Sequence, residues 1–315
     1  MIPFMRQPLT TSLTGLSLFC LLCLFLAGCN QQEQTSAAPQ PKLGIDKLTI
    51  GLIPEQDIFT QKKRYEPLLA YLSQQLGTPI EIKILPSYGN VIDNFFDLGL
   101  DGAFFGSFTG AVAISKLGVE PLARPQYVGG ASTYYGMVFV RKDSGIKTAE
   151  DMHRKRMVFV DKATTAGYLL PLNYFKTIGI NDYKKWFQEY YFSGTHEGAI
   201  NDVLNGVADI GAAKNTIFYQ MSKTDNRILN ELKILSTSPH VPANSLAVRH
   251  DLPGEVKQAL KQQLLTMHQS KQGQMILSAL GIDKFIETTA EDYLPVFNYA
   301  ESSGFDLKTY NSLNN

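Results

Sequence analysis

From Lys47 onward, short apolar runs rich in β-formers alternate with amphipathic helical patterns, and few folds accommodate that rhythm. "KLTIGLIP" reads as a buried strand. "RYEPLLAYLSQQLG" reads as a helix that gathers Tyr65, Leu68, Leu69, Leu72 and Leu76 on one face and is closed by Gly77. The strand "IEIKIL", the helix "NVIDNFFDLG" and the strand "DGAFFG" follow. This βαβαβ order predicts an α/β fold built on a mostly parallel sheet with helices on both faces. A second series of strands is predicted at 137–140, 157–160, 189–192 and 208–212, and a third part returns through "LKILSTSP", "SLAVRHDLP" and a long helix over 254–280. The layout predicts two α/β lobes, 45–136 with 238–315 and 137–237, with crossings near Tyr135 and Ser238. Ligands of open α/β sheets bind beyond the carboxyl ends of the strands, so the expected site is a cleft between the lobes.

The first residues follow a different logic. Arg6 precedes an apolar run over 13–27, short for a spanning helix and ending in the small residues Ala27 and Gly28, as export signals do. The tetrapeptide Leu26-Ala27-Gly28-Cys29 resembles the bacterial lipobox, which implies cleavage after residue 28 and lipidation of Cys29. The Gln-, Ala- and Pro-rich stretch over 29–44 reads as a flexible tether. The expected location is therefore the cell envelope, with the protein held to a membrane by lipid and facing the periplasm or the exterior.

Cysteine and charge counts exclude several classes. Cys20 and Cys23 fall inside the signal, so Cys29 alone remains, and neither a disulfide nor a cysteine-based metal site is expected. The 29 basic and 29 acidic residues balance, and loss of Arg6 with the signal leaves 28 basic, which argues against a nucleic-acid partner. The five histidines, at 153, 196, 240, 250 and 268, lack metal-site spacing, and the chain has neither a G-x-S-x-G elbow nor a P-loop. The chain is read as a non-enzyme that needs no cofactor or metal.

Hydroxyl-rich turns that follow apolar runs remain. "LPSYGNVID" carries Ser87 and Tyr88, "FFGSFTGA" carries Ser107 and Thr109, and "KATTAGY" carries Thr164 and Thr165, each before a helix. Unpaired N–H groups and the macrodipole favour an anion at helix starts, and hydroxyls there either cap the helix or donate to an oxyanion.

Taken in order, "GLIPEQD", "RYEPLLAYLSQQLG", "SYGNVID", "DGAFFGSFTG", "YYGMVFVRKDSGIKTAEDM", "TTAGYLLP" and "GTHEGAINDVLNGVADIGA" resemble the substrate-binding proteins of phosphonate/phosphite/phosphate ABC importers. These are type II periplasmic binding proteins, and the similarity runs from about Leu48 to the C-terminal helices. The resemblance implies that Tyr88 donates to a phosphonyl oxygen from the first lobe. It also implies that Thr164, Thr165 and the Ala166 amide donate from the second, and that His196 reaches the same oxygens. Ser107 and Asn244 complete the expected contacts.

Two departures stand out. Phe105 occupies a position where the phosphonate binders carry a tyrosine, and Ala166 replaces a turn hydroxyl. Thr216 and Asn244 stand where aminoalkylphosphonate binders carry carboxylates, which disfavours such a ligand. Lys162 and Lys214 bring charge near the cleft and, with Tyr135 at the crossing, are further candidate contacts. The expected function is binding of phosphate, phosphite or a simple phosphonate by a monomer that delivers it to an ABC permease. The alternative is a sensory lipoprotein that docks a membrane kinase or cyclase.

Overall fold

The computed structural model describes residues 44–311. The signal, the lipidation site Cys29 and the tether read from the sequence lie outside these residues, apart from Gly44.

The first sheet opens with β1 (Leu48–Leu52), followed by α1 (Ile58–Leu76) and β2 (Ile80–Ile84). The Asp57 carboxylate caps α1 by accepting from the amides of Phe59 and Thr60, and Gly77 closes it in the left-handed conformation with φ 62°. Leu68, Leu69, Leu72 and Leu76 are buried on its inner face. Tyr65 is half-buried and packs on Phe104 with ring centroids 5.4 Å apart. The helix expected after Asn90 is a single turn over Asn90–Asp93. There follow β3 (Gly102–Phe105), α2 (Ser107–Leu117) and β4 (Glu120–Tyr127), and then β5 (Thr133–Tyr134) at the crossing.

The second sheet is formed by β6 (Gly136–Arg141), β7 (Arg156–Phe159), β8 (Glu189–Phe192), β9 (Ile210–Lys214) and β10 (Leu232–Thr237). Helix α3 (Leu170–Thr177) follows β7, and α4 (His196–Leu204) joins β8 to β9. The chain returns through β11 (Val241–Pro242) and β12 (Ser245–Val248), and β13 (Ile282–Glu287) completes the first sheet. The helix expected over 254–280 is two helices, α5 (Gly254–Thr266) and α6 (Lys271–Leu280). Between them lies a 3₁₀ turn over Met267–Gln269, and the Ser270 hydroxyl caps α6 by accepting from the Gly273 amide.

The strand orders are β13-β4-β12-β3-β1-β2 and β10-β6-β9-β7-β8, and β11 pairs β5 in a separate two-stranded ribbon. Both sheets are mixed, where the sequence suggested mostly parallel ones. β1 runs parallel to β2 and β3, whereas β12 runs antiparallel to β3 and β4. β7 runs parallel to β8 and β9, whereas β6 runs antiparallel to β9. The crossings explain the difference. Ser245 pairs with Phe105 and Gly136 with Lys214, so β12 and β6 each begin beside the carboxyl end of a βα strand. A strand that enters its lobe from the cleft must run opposite to the strands that finish there.

One core packs Leu48, Ile50 and Phe104 of the first sheet against α1, α5 and α6. Another, containing Phe105, Phe108, Phe139 and Val160, draws side chains from both lobes. None of the helices among the described residues is long and apolar enough to cross a membrane.

Gly102 lies where β12 passes close to β3. A methyl group there would lie 2.7 Å from the Ala247 carbonyl oxygen and 2.8 Å from a Val248 methyl. Gly102→Ala is expected to lower stability by about 1–3 kcal/mol. Urea denaturation checks this, and an unchanged midpoint would contradict the packing of the return strand.

Candidate functional site

Strand ends from the two lobes meet around a small enclosed cavity. The chain leaves β1 through Ile53, Pro54, Glu55 and Gln56, and the buried Gln61 of α1 holds this turn in shape. The Gln61 side chain accepts from the Glu55 amide at 3.0 Å and donates to the Ile53 carbonyl. The Glu55 carboxylate is thereby aimed across the cleft at Lys214, the last residue of β9. Lys214 Nζ donates to Glu55 Oε1 at 2.7 Å and to Asn244 Oδ1 at 2.9 Å, and it lies 4.4 Å from the centroid of the Tyr134 ring. Side-chain exposures of 3% for Lys214 and 13% for Glu55 make this a buried ion pair rather than a surface one.

Each charge keeps the other in place. Burial works against the Lys214 ammonium, but the Glu55 carboxylate overrides it and holds the lysine above its ordinary range. Burial likewise pushes Glu55 up, and Lys214, with help from Asn244, brings it below the usual carboxylate value. Asn244 bridges the pair, accepting from Lys214 and donating to Glu55.

His196 opens α4, whose amide at Gly198 is capped by the Thr195 hydroxyl at 2.9 Å. Its backbone N–H donates to the Glu55 carbonyl at 3.1 Å, and its Nδ1 accepts from the Lys214 amide at 3.3 Å. That assignment leaves the proton on Nε2, where the ring presents a neutral donor. Burial lowers His196 to about 3 against an ordinary 6.5. The Lys214 ammonium lowers it too, and the Glu55 carboxylate opposes them.

Tyr88 is 2% exposed, and its hydroxyl has no hydrogen-bond partner. Burial, then the field of Glu55, holds its phenol far above its ordinary value, so it is a proton donor at any physiological pH. An orphaned buried donor that lines a cavity is rare in folded proteins and points to a ligand.

The turn "DKATTAGY" forms the floor from the second lobe. The Asp161 carboxylate accepts from the Ala163 amide at 2.7 Å and also from the Tyr88 amide across the cleft. Thr164 Oγ1 donates to the Asp161 carbonyl at 2.6 Å. Thr165 Oγ1 accepts from the Phe108 amide at 2.7 Å, so a hydroxyl of one lobe sits on the first turn of α2 in the other. The chain continues through a π-helical turn, Thr165–Leu169, into α3. Gly167 is needed there because a methyl group would come within 2.4 Å of Val160.

Six residues singled out from the sequence line the cavity: Tyr88, Thr164, Thr165, His196, Lys214 and Asn244. Others are placed elsewhere. The Ser107 hydroxyl donates to the Pro242 carbonyl and accepts from Tyr134, so it serves the crossing strands rather than the cavity. Ala166 is buried against Gly136, and its amide is not on the cavity wall. Phe105 stacks on Phe95 at 6.1 Å, inside the core. Tyr135 packs beside His240, while Lys162 and Thr216 are half-buried and do not line the cavity.

The sequence reading missed Glu55 and Tyr134. Glu55 had one available signal, its place immediately beyond the carboxyl end of the first strand. Among the described residues, no group of three or more His, Cys, Asp and Glu could hold a metal ion. The cavity has about 10 Å³ of free volume, close to what a single water requires. A ligand of several heavy atoms is admitted only when the walls separate.

Residues 50–293 match the family model described as the phosphonate ABC transporter periplasmic substrate-binding protein. The phosphate-import protein PhnD of Mycolicibacterium smegmatis is 27% identical over 260 residues, covering 79% of this chain and 79% of the relative. A binding-protein component of a Pseudomonas aeruginosa ABC phosphonate transporter superposes with a TM-score of 0.77 at 24% identity, covering 82% of this chain and 86% of its own. PhnD1 of Prochlorococcus marinus, in complex with methylphosphonate, superposes with a TM-score of 0.74 at 20% identity, covering 82% of this chain and 98% of its own.

The buried His196 has a consequence for stability against pH. Its folded value is depressed, so below 6.5 the unfolded chain binds a proton that the folded chain refuses. The stability tied to neutral His196 is complete above that pH and drains away as the pH falls toward 3. Urea midpoints measured between 6.5 and about 5, above most carboxylate titration, are expected to fall in the native protein and to fall less in His196→Gln. Equal slopes would contradict a buried neutral ring.

Proposed function

We propose a ligand class for this chain, which belongs to the periplasmic substrate-binding proteins of phosphonate-type ABC transporters: phosphate, phosphite or a simple phosphonate. As such it is an extracytoplasmic, non-enzymatic component that serves an ABC importer. The observation that carries the ligand class is the Tyr88 hydroxyl, a buried donor without a partner on the cavity wall. It stands in the same wall as the neutral His196 ring and the Lys214 ammonium. Donors that carry no bulk charge, joined by one lysine, suit a compact oxyanion. The relatives point the same way, one named for phosphate import and one bound to methylphosphonate. An aminoalkylphosphonate fits less well, because Thr216 is off the wall and the Glu55 carboxylate is already paired with Lys214.

In this reading the lobes are 45–136 with 238–315 and 137–237. They open and close on the two crossings, where β5 pairs β11 through Tyr134 and Val241. Lipidation of Cys29 would hold the protein at a membrane, and the support for it is the Leu-Ala-Gly-Cys motif after an apolar run.

Tyr88→Phe separates binding from folding, since the hydroxyl has no hydrogen bond to lose in the closed protein. Calorimetry against phosphate, phosphite and methylphosphonate is expected to show binding of at least one to the native protein. For the variant it is expected to show affinity lower by a factor of about 10–100, the worth of one hydrogen bond to a charged group. The thermal midpoint is expected to hold. Undiminished affinity removes Tyr88 from the site, and no binding of any of the three to the native protein overturns the ligand class.

A further inference from the structure

Glu55 is an unusual group to find in the wall of an anion site. Its carboxylate can only accept hydrogen bonds, and it has about four lone-pair directions. Lys214 Nζ and the Asn244 amide take two of them. The remaining capacity belongs to a group that lines the cavity alongside Tyr88 and His196. Any oxyanion held by those two donors is brought close to a second negative charge.

The charges that face Glu55 come from several elements. Lys214 approaches from β9, the neutral His196 from α4, and the uncharged Asn244 from the segment before β12. Tyr65 of α1, Tyr88 and Tyr127 of β4 all feel its field, and Arg64 lies beyond Tyr65. The three phenols are raised by burial and stay neutral, and Asp161 on the opposite turn acts on Tyr88 rather than on Glu55. Of the residues on the cavity wall, Lys214 and Glu55 are the charged pair and cancel. A monoanion therefore leaves one uncompensated negative charge in a buried site, and a dianion leaves two.

We propose that Glu55 makes the site selective for an oxyanion that still carries a proton, by accepting a hydrogen bond from a P–OH group, and that it thereby excludes sulfate. The proposal rests on the phosphorus-oxyanion reading above. A deprotonated oxygen placed against Glu55 offers only lone pairs to lone pairs. A protonated one forms an O–H···O⁻ bond, the short charge-assisted kind, and removes one unit of repulsion at the same time. Phosphate, phosphite and methylphosphonate can all present such a proton near neutral pH, whereas sulfate cannot. Position supports the assignment, because Gln61 clamps the Glu55 amide and Ile53 carbonyl, and Arg64 Nη1 donates to Gln56 Oε1 at 2.6 Å. The carboxylate is thus presented by a fixed turn rather than by a loose side chain.

The test is calorimetry of the native protein and Glu55→Gln with phosphate, methylphosphonate and sulfate across the second ionisations of the first two, because the phosphate dianion keeps a P–OH proton whereas the methylphosphonate and sulfate dianions have none. Native affinity for methylphosphonate is expected to fall about tenfold per pH unit once its monoanion is depleted, with phosphate falling less because its dianion keeps a P–OH proton, and with sulfate unbound throughout. Glu55→Gln can donate as well as accept, so its methylphosphonate affinity is expected to flatten with pH and sulfate binding to appear. A site that excludes charge alone would treat the phosphate, methylphosphonate and sulfate dianions alike, and that outcome overturns the proposal. Native methylphosphonate affinity that is level or rises with pH, or native sulfate binding comparable to phosphate, overturns it as well. If Glu55→Gln fails to fold, the two native measurements still decide. Binding of these oxyanions without proton preference sinks only this inference, whereas absence of binding by phosphate, phosphite and methylphosphonate sinks the ligand class on which it rests.

Discussion

The ion pair between Glu55 and Lys214 organises the rest of the site. Two opposite charges buried together lose hydration, and the loss is tolerable only when geometry and further hydrogen bonds are good. Here Asn244 bonds both partners and the Tyr134 ring lies under the ammonium. Because Glu55 follows β1 and Lys214 ends β9, the pair also joins one sheet to the other. The pair that sets the charge of the cavity is the same pair that ties its walls together, so the contact between the sheets and the electrostatics of the cavity depend on one interaction.

Backbone groups reinforce that link. The His196 amide bonds the Glu55 carbonyl, the Phe108 amide bonds the Thr165 hydroxyl, and the Tyr88 amide bonds the Asp161 carboxylate. The Asp57 amide adds a bond to Glu197 at 3.0 Å at the rim. Each of these pairs an N–H of one lobe with an oxygen of the other, or the reverse. Their length and direction are exacting, so they fix the register in which the lobes meet. In each of them a backbone amide donates, to a carbonyl, a hydroxyl or a carboxylate on the facing turn.

Much of this was legible in the sequence, for identifiable reasons. The period of apolar residues placed most strands and α1, since burial alone decides which face of "RYEPLLAYLSQQLG" turns inward. Tyr88, Thr164 and Thr165 could be singled out because each stands at a turn that follows a strand, whereas His196 was singled out by the resemblance of "HEGAINDVLNG". Strand direction was not legible, because it depends on the edge from which β6 and β12 enter their sheets, and that is a property of the crossing rather than of the strand. Ser107 resembled a ligand donor as closely as Thr165 does, yet the Pro242 carbonyl, 135 residues away, takes its proton. Glu55 was hidden by its kind, for a carboxylate in a loop is usually solvated. Only the partner at Lys214, 159 residues further on, makes it a buried group.

The two substitutions that seemed to cost the site its donors have a different meaning in three dimensions. Phe105 lies in the core against Phe95, and Ala166 packs against Gly136, so neither side chain is on the cavity wall in the closed form. What the chain has instead of extra hydroxyls is an ammonium with its own counter-ion. Hydroxyls alone treat oxyanions of one shape nearly alike, whereas a fixed carboxylate beside the ligand responds to the proton the ligand carries. In this protein discrimination is therefore expected to reside less in the number of donors around the oxyanion than in the single acceptor that Glu55 presents.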